Sequence, residues 1–126
     1  MSSAADTLRR AAEVLRERAG VATPGPWEPY VLGSEGYDVR GPQTSIPGRR
    51  IARSTRVARC GYEEWEVDKA NAAYIATVDP TVGLALADWL ERFTISTAED
   101  PETAALFSGE VEDALAVARA ILRETP

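Results

Sequence analysis

The sequence predicts an α+β protein in which a small antiparallel sheet of three to four strands packs against helices, in the order α-β-β-β-α-α-α. An amphipathic helical pattern opens the chain, short β-type runs with short connections follow, and helical patterns fill the remainder. Consecutive strands joined by short turns favour antiparallel pairing, so helices would cover one face of the sheet. We expect residues 1–126 to form one α+β domain, because this length suits a single core.

Capping and termination signals predict the first helix. Ser2 or Ser3 can cap it, and Ser3 followed by Asp6 resembles a capping box. Gly20 is a natural helix stop. The apolar positions between these signals recur at helical spacing: Leu8, Ala11, Ala12, Leu15 and Ala19.

The segment VATPGPWEPY ends helical structure, because Pro24, Pro26 and Pro29 are incompatible with a helix interior. Trp27 lies among these prolines. We expect it to anchor the segment on the core. A peptide-binding groove built from these prolines and the tryptophan is the alternative.

Three strand candidates follow, at residues 27–32, 37–40 and 49–57. A turn of small and polar residues separates the first two candidates. Residues 41–48, GPQTSIPG, are typical of a loop. Residues 57–67 could contain a loop or a short fourth strand, and the sequence leaves both alternatives open.

Two helices that meet at an Asp-Pro corner are predicted for residues 68–93. Asp68 can cap the first helix. Pro80 disfavours helical geometry at Asp79, which ends that helix, and Asp79 can cap the second helix with Pro80 in its first position.

The second central helix has a broad apolar face: Val82, Ala85, Leu86, Trp89, Leu90 and Phe93. We expect this face to belong to the core, with Leu86 and Trp89 well buried. A ligand groove lined by Trp89 and Tyr74 is the alternative. Asp100-Pro101 repeats the cap-and-proline signal before a last helix, which Ser108-Gly109 could divide.

Composition excludes several classes of site. The chain has no histidine and one cysteine, Cys60. Sites that need histidine are therefore excluded: histidine acid–base chemistry, histidine-containing triads and histidine-containing metal sites. A single cysteine forms no internal disulfide, which agrees with a reducing compartment. No apolar run approaches the ~20 residues that span a bilayer, and the N-terminus lacks a signal-peptide core. We expect a cytoplasmic protein without membrane association and predict no cofactor.

The acidic residues available to an enzyme are Asp79, Asp88, Glu91 and the cluster at 63–66. Asp88 and Glu91 lie three apart on one helical face and could hold a cation. Asp79 is better explained as a cap, and Cys60 has no histidine to activate it. The sequence therefore favours a non-catalytic protein, and the question of an enzyme stays open.

Charge is unevenly distributed along the chain. The net charge is −6, yet residues 39–62 contain six arginines and no acid, which leaves −12 on the rest. The candidate binding surface comprises Arg49, Arg50, Arg53, Arg56 and Arg59 with Trp27 and Trp89. These arginines could bind nucleic acid or phosphate, or could pair with acidic residues of this chain or of a second copy. A net-acidic chain is repelled by a polyanion, so we favour a protein partner, including a homodimer.

Two stretches carry a family resemblance. TPGPW (23–27) follows the first helix, and NAAYIATVDPTVGLALADWLE (71–91) follows the strands. The combination is similar to the Ead/Ea22-like family of small phage and prophage proteins and to small actinobacterial proteins of the same layout. Their pattern joins ATPGPW to a motif of the form (D/N)AAFIA…(N/H)P…ALAL(I/A)(D/E)xLE. The resemblance covers residues 4–93 and implies a phage-like accessory protein without established catalytic residues. The alanine-rich helical stripes, the absence of a catalytic constellation and this resemblance together favour protein–protein association as the function.

Overall fold

The chain has the predicted α+β fold. The computed structural model describes residues 3–33, 36–45, 47–48, 52–61, 64–96 and 108–124. The elements within these residues are α1 (Ala4–Val21), β1 (Glu28–Val31), β2 (Tyr37–Ser45), β3 (Ala52–Gly61), α2 (Trp65–Thr77), α3 (Pro80–Ser96) and α4 (Ser108–Leu122). The three strands form an antiparallel sheet in the order β1-β2-β3, which confirms the predicted fold class and element order.

Contacts within the chain group it into two compact units. One unit contains residues 1–18 and 83–126, and the other contains residues 19–82. The first is helical, and the second holds the sheet and α2. The single domain expected from chain length stays a prediction.

The helical unit has a core of leucine and alanine contributed by α1, α3 and α4. The buried members are Leu8, Ala11, Ala12, Ala87, Leu90, Ala114, Leu115 and Ala118. Small alanine side chains allow close helix approach, and one leucine from each helix fills the space between them. Asp6 N donates a hydrogen bond of 3.1 Å to Ser3 Oγ, which confirms Ser3 as the cap of α1. Among the described helices, none has both the length and the apolar character needed to cross a membrane.

The buried side of α3 differs from the predicted one. Ala87 and Leu90 are fully buried, whereas Leu86 and Trp89 are half-buried against the same core. Trp89 meets Phe93 edge-on, with ring centroids 5.1 Å apart. The prediction that Leu86 and Trp89 are well buried is therefore wrong. The small side chain of Ala87 lets the helix approach closely at that position, so the larger tryptophan ring lies at the rim.

The last predicted helix is described from Ser108 onward, as α4. Its buried positions are Ala114, Leu115 and Ala118. The predicted cap at Asp100 lies outside the described residues, together with the rest of 97–107. Whether Ser108-Gly109 divides a longer helix therefore stays open.

The sheet has two different faces because side chains alternate along its central strand, β2. Tyr37 and Val39 pack with Ala72 and Ala76 of α2, so α2 covers this face. Asp38 and its alternate neighbours belong to the opposite side, which we call the polar face. Both central helices were expected to pack on the sheet. α2 does so, whereas the buried residues of α3, Ala87 and Leu90, belong to the helical core.

β2 is longer than predicted. Residues 41–45 continue the strand instead of forming the start of the loop predicted for 41–48. Two residues of β2, Gly41 and Pro42, oppose one residue of β3 between the paired rungs Arg40↔Arg56 and Gln43↔Ser54. Proline has no N–H to donate to a ladder, and a bulge is a position where a strand tolerates it. The loop prediction was wrong here because composition does not show the bulge.

α2 begins at Trp65, earlier than the predicted cap at Asp68. The Trp65 ring packs on Tyr37 with centroids 4.6 Å apart, which ties the first helical turn to the sheet. Asp68 lies inside that turn, and its Oδ2 accepts a hydrogen bond of 3.1 Å from Glu64 N. Within its described residues, the segment 57–67 contains the end of β3 and the beginning of α2. It was expected to be a loop or a short fourth strand, and neither expectation included the start of a helix.

Asp79 forms the predicted corner between α2 and α3. Its Oδ1 accepts a hydrogen bond of 3.1 Å from Val82 N, and its Oδ2 accepts one of 3.2 Å from Trp27 N. Gly25 fits beside this carboxylate because a Cβ there would lie 2.8 Å from Oδ2. The cap prediction is confirmed. The two stretches that carry the family resemblance meet at this aspartate.

Candidate functional site

The structure describes part of the predicted arginine cluster. Arg49 and Arg50 lie outside the described residues, and Arg53 is described only as a backbone position in β3. Arg56 pairs with a buried carboxylate, whereas Arg59 lines a notch beside α2. These two arginines of β3 therefore belong to different surfaces.

The buried carboxylate of Asp38 organises the polar face. Its side chain has 0% exposure, and its Oδ2 accepts hydrogen bonds of 2.7 Å from Arg56 Nε and 3.2 Å from Arg40 Nη2. The Arg40 guanidinium lies 5.2 Å from the centroid of the Tyr30 ring. A carboxylate removed from water must be paired, so the ion pairs with Asp38 fix the positions of Arg40 and Arg56. We call Tyr30, Asp38, Arg40 and Arg56 the sheet ion cluster.

This cluster leaves hydrogen-bonding groups unused. Within the described part of the chain, Asp38 Oδ1 and Arg40 Nε are buried without a hydrogen-bond partner. Arg56 engages Asp38 through Nε alone, and its two Nη groups make no hydrogen bond to any described residue. The Arg56 side chain is 47% exposed, so this terminal edge is available to a ligand.

A cleft of about 780 Å³ opens beside the sheet ion cluster. Its lining includes Tyr30, Leu32, Arg40, Gln43, Ser54 and Arg56. In a regular strand, residues three apart point to opposite faces. The extra residue in the bulge at Gly41-Pro42 brings Gln43 back to the face of Arg40. The bulge therefore builds the floor of the cleft.

Sequence reasoning missed most of this cleft. It did not select Asp38, Gln43 or Ser54, and it counted Arg40 only as charge. The signal that could have found Asp38 is the alternation Tyr-Asp-Val-Arg at 37–40, which places an acid and an arginine on one face of a strand.

The predicted aromatic residues lie in separate places. Trp27 is half-buried against the apolar cluster of the sheet, and its Nε1 donates a hydrogen bond of 2.8 Å to Thr23 O. Its predicted role as an anchor is confirmed. Trp89 lies at the rim of the helical core, and Tyr74 is 72% exposed on α2.

α2 is apolar on two sides. Ala72, Ile75 and Ala76 pack on the sheet. On the opposite side Val67, Tyr74 and Val78 are 51%, 72% and 50% exposed. Val67 and Tyr74 lie seven residues apart in one line along the helix, and Val78 follows as the C-cap residue, with its N–H bonded to Tyr74 O. We call these three residues the outward face of α2.

A notch of about 300 Å³ lies between α2 and β3, lined by Arg59, Cys60, Asn71, Tyr74 and Ile75. Burial raises the pKa of the Cys60 thiol, and the carboxylates of Asp38 and Asp68 act in the same direction. A raised pKa keeps the thiol protonated at neutral pH and makes it a poor nucleophile. This agrees with the inert cysteine expected from the sequence.

Three of the carboxylates considered for catalysis, Asp79, Asp88 and Glu91, have structural partners. Asp79 caps α3. Asp88 Oδ1 and Glu91 Oε2 both accept hydrogen bonds from Arg16 Nη2, at 2.9 Å and 2.5 Å. The cation that this pair holds is therefore a guanidinium of α1. In the described ranges, no three cysteine, aspartate or glutamate side chains converge as a metal site.

Comparisons of this chain with protein-family models, with curated proteins and with solved structures each found no match.

Proposed function

We propose that this chain acts without catalysis, by binding another protein, and that a second copy of the chain is its partner. The observation that carries the proposal is the outward face of α2, which exposes three large apolar side chains opposite the sheet. Apolar side chains aligned on one helix face are typical of association surfaces. Contact with a partner would remove their apolar area from water, which is the main favourable term in association.

Charge supports a second copy as the partner. Tyr74 and Val78 lie at an uncharged end of this face, because the only charged residue between Ala70 and Ala87 is Asp79, which is buried at the corner before α3. Glu66, Asp68 and Lys69 flank Val67 at the other end. Two copies can meet at the uncharged end around a two-fold axis without repulsion. A strongly basic or acidic surface would instead meet like charge in its own copy.

The proposed context is a phage-like accessory protein of the cytoplasm. This part of the proposal comes from the resemblance of residues 23–27 and 71–91 to the phage and prophage family. A hydrogen bond between Trp27 and Asp79 joins these two stretches in one local structure. The lone Cys60 supports a reducing compartment.

Nucleic-acid binding, the alternative from the arginine-rich segment, has less support. Arg40 and Arg56 share the negative charge of Asp38. Arg56 and Arg59 line different surfaces. The net charge of −6 also opposes the approach of a polyanion.

Val78→Glu and Val21→Glu form a matched pair that tests the association face. Val78 belongs to the outward face of α2, while Val21 is 87% exposed at the end of α1. Light scattering after size exclusion, over a range of concentrations, should show wild type at twice the chain mass of 13.6 kDa. Val21→Glu should match wild type, and Val78→Glu should be monomeric, because a buried unpaired carboxylate opposes association.

Two results would contradict the proposal. One is a wild-type protein that keeps the monomer mass at every concentration. The other is an equal loss of the dimer in both variants, since this would indicate a general effect of added negative charge.

A further inference from the structure

We propose that the cleft on the polar face of the sheet binds a small molecule through a single carboxylate or phosphate group. Arg56 holds that group, and Ser54 and Gln43 add hydrogen bonds to it. The cleft lies on the side of the sheet opposite α2. The proposal is therefore independent of chain association.

Arg56 is positioned to bind an anion with two parallel hydrogen bonds. A guanidinium offers two such edges, one that includes Nε and one formed by the two Nη groups. Asp38 occupies Nε at 2.7 Å, and the described residues leave the Nη edge open. A carboxylate or a phosphate has two oxygens at the spacing that this edge requires.

Asp38 fixes Arg56 before any ligand arrives. Its fully buried carboxylate needs the guanidinium as a partner, so Arg56 loses little further freedom when an anion binds. The carboxylate also limits the charge. Asp38, Arg40 and Arg56 together carry +1, and Glu28, the register partner of Arg40, offsets this charge at the β1 side. The positive charge is therefore confined to the Arg56 end, which suits one anionic group better than a chain of phosphates.

The bulge supplies the remaining polar contacts. Arg40 is paired with Arg56 across the β2–β3 ladder, and Gln43 is paired with Ser54 on the next rung. Because the bulge keeps both rungs on one face, an amide and a hydroxyl lie beside the two guanidinium groups. Both can donate hydrogen bonds to an oxygen held by Arg56.

The shape of the cleft indicates the rest of the ligand. Its volume of about 780 Å³ falls in the range of small-molecule sites. Tyr30 and Leu32 supply apolar surface for the body of the ligand. Glu28 lines an adjoining cleft of about 210 Å³ that shares Tyr30, Arg40, Gln43 and Ser54 with the larger cleft but not Arg56. Its carboxylate repels an anion, so the acidic group of the ligand lies at the Arg56 end.

The test uses two probes with the same body, phenyl phosphate and benzoate, together with inorganic phosphate and a single-stranded oligonucleotide. Amide chemical shifts are followed by NMR while each probe is added. We expect saturable shifts at Gln43, Ser54 and Arg56 with at least one small probe, at a Kd of about 1 mM or tighter. The two aromatic probes distinguish phosphate from carboxylate as the preferred group.

Arg56→Gln is the test variant, and Arg59→Gln is its matched control on the same strand. Arg56→Gln should weaken binding by about tenfold or more, since it removes a charged hydrogen-bond donor. Arg59→Gln should bind as wild type does. Ser54→Ala keeps both arginines of the cluster and should weaken binding severalfold, so it tests the site even where Arg56→Gln fails to fold.

Several results would overturn the proposal: no saturable binding of any small probe, an equal loss of binding in Arg56→Gln and Arg59→Gln, or unchanged binding in Ser54→Ala. Binding of the oligonucleotide alone would overturn it in favour of a polyanion surface.

Discussion

Two ion clusters in this protein use the same side-chain types in opposite proportions. In the helical unit one arginine, Arg16, serves two carboxylates, Asp88 and Glu91. In the sheet one carboxylate, Asp38, serves two arginines. The side chains of the helical cluster are 36%, 67% and 53% exposed, whereas Asp38 is 0% exposed. The two clusters therefore use the same residue types, but only the sheet cluster has a fully buried carboxylate.

This difference in burial decides what each cluster can do. Water and salt screen the charges around Arg16, so its ion pairs join α1 to α3 at the surface with little effect on stability. Asp38 cannot be left unpaired without a large cost, so its arginines are fixed in position. Fixed polar groups beside a cleft are the usual basis of a binding site.

The largest expected effect comes from removing both partners of Asp38. Arg40→Met with Arg56→Met keeps most of the side-chain volume but leaves a buried carboxylate unpaired. We expect a loss of ~3 to 5 kcal/mol in the free energy of unfolding, measured by urea denaturation with tryptophan fluorescence. Arg59→Met is the control and should change stability by less than ~0.5 kcal/mol. A loss below ~1 kcal/mol in the double variant would show that Asp38 does not depend on these arginines.

Asp79 offers a second buried carboxylate, paired with neutral backbone donors instead of arginines. Asp79→Ala removes the cap of α3 and leaves the amide of Trp27 without its acceptor. We expect a loss of ~1 to 3 kcal/mol in thermal or urea unfolding. Asp79→Asn keeps one acceptor oxygen and should lose less. Equal losses in both variants would mean that the negative charge matters more than the hydrogen bonds.

Arg16 should show the small effect typical of an exposed cluster. Arg16→Met is expected to lower the free energy of unfolding only slightly at low salt, because its partners remain hydrated. The effect should shrink further in ~1 M salt, where the Debye length is ~3 Å. Urea denaturation at two salt concentrations measures both quantities. A loss of unfolding free energy that does not depend on salt, and that equals the loss in the Arg40 and Arg56 double variant, would contradict the difference between the two clusters.

The smallest effect concerns Asp6, which is exposed at the start of α1. The Ser3 hydroxyl lowers the pKa of this carboxyl below its usual value of 3.8, and Arg9 acts in the same direction. Since the folded pKa is lower than the unfolded one, Asp6 stabilises the fold above pH ~3.8 and loses this contribution as pH falls through its folded pKa. An NMR titration should find the Asp6 midpoint below 3.8 in wild type and higher in Ser3→Ala. An unchanged midpoint would contradict this assignment.

Local signals were sufficient for the elements of the fold. The Ser3 cap and the Asp79-Pro80 corner depend on residues close in sequence, and both are present as predicted. Periodicity also found the apolar stripe of α1. Periodicity did not predict the burial of Trp89 on α3 correctly. An apolar stripe shows which side of a helix faces the core, but not how deeply a large ring enters the core.

The candidate site depends on long-range pairing that composition does not show. Asp38 meets Arg56 across 18 positions of sequence, through a register that shifts between Val39 and Arg40. Read as a linear segment, the arginines from 49 to 59 resemble one basic surface. In the folded chain Arg56 instead lines the cleft and Arg59 lines the notch beside α2.

A dilution series of amide NMR spectra tests most directly the central claim that α2 is an association face. As wild type is diluted, we expect the largest shift changes along residues 67–78, with Val78→Glu at all concentrations resembling dilute wild type. Spectra that do not change with concentration would contradict the claim. Changes centred on β2 and β3 would also contradict it, since they would place the contact on the polar face of the sheet.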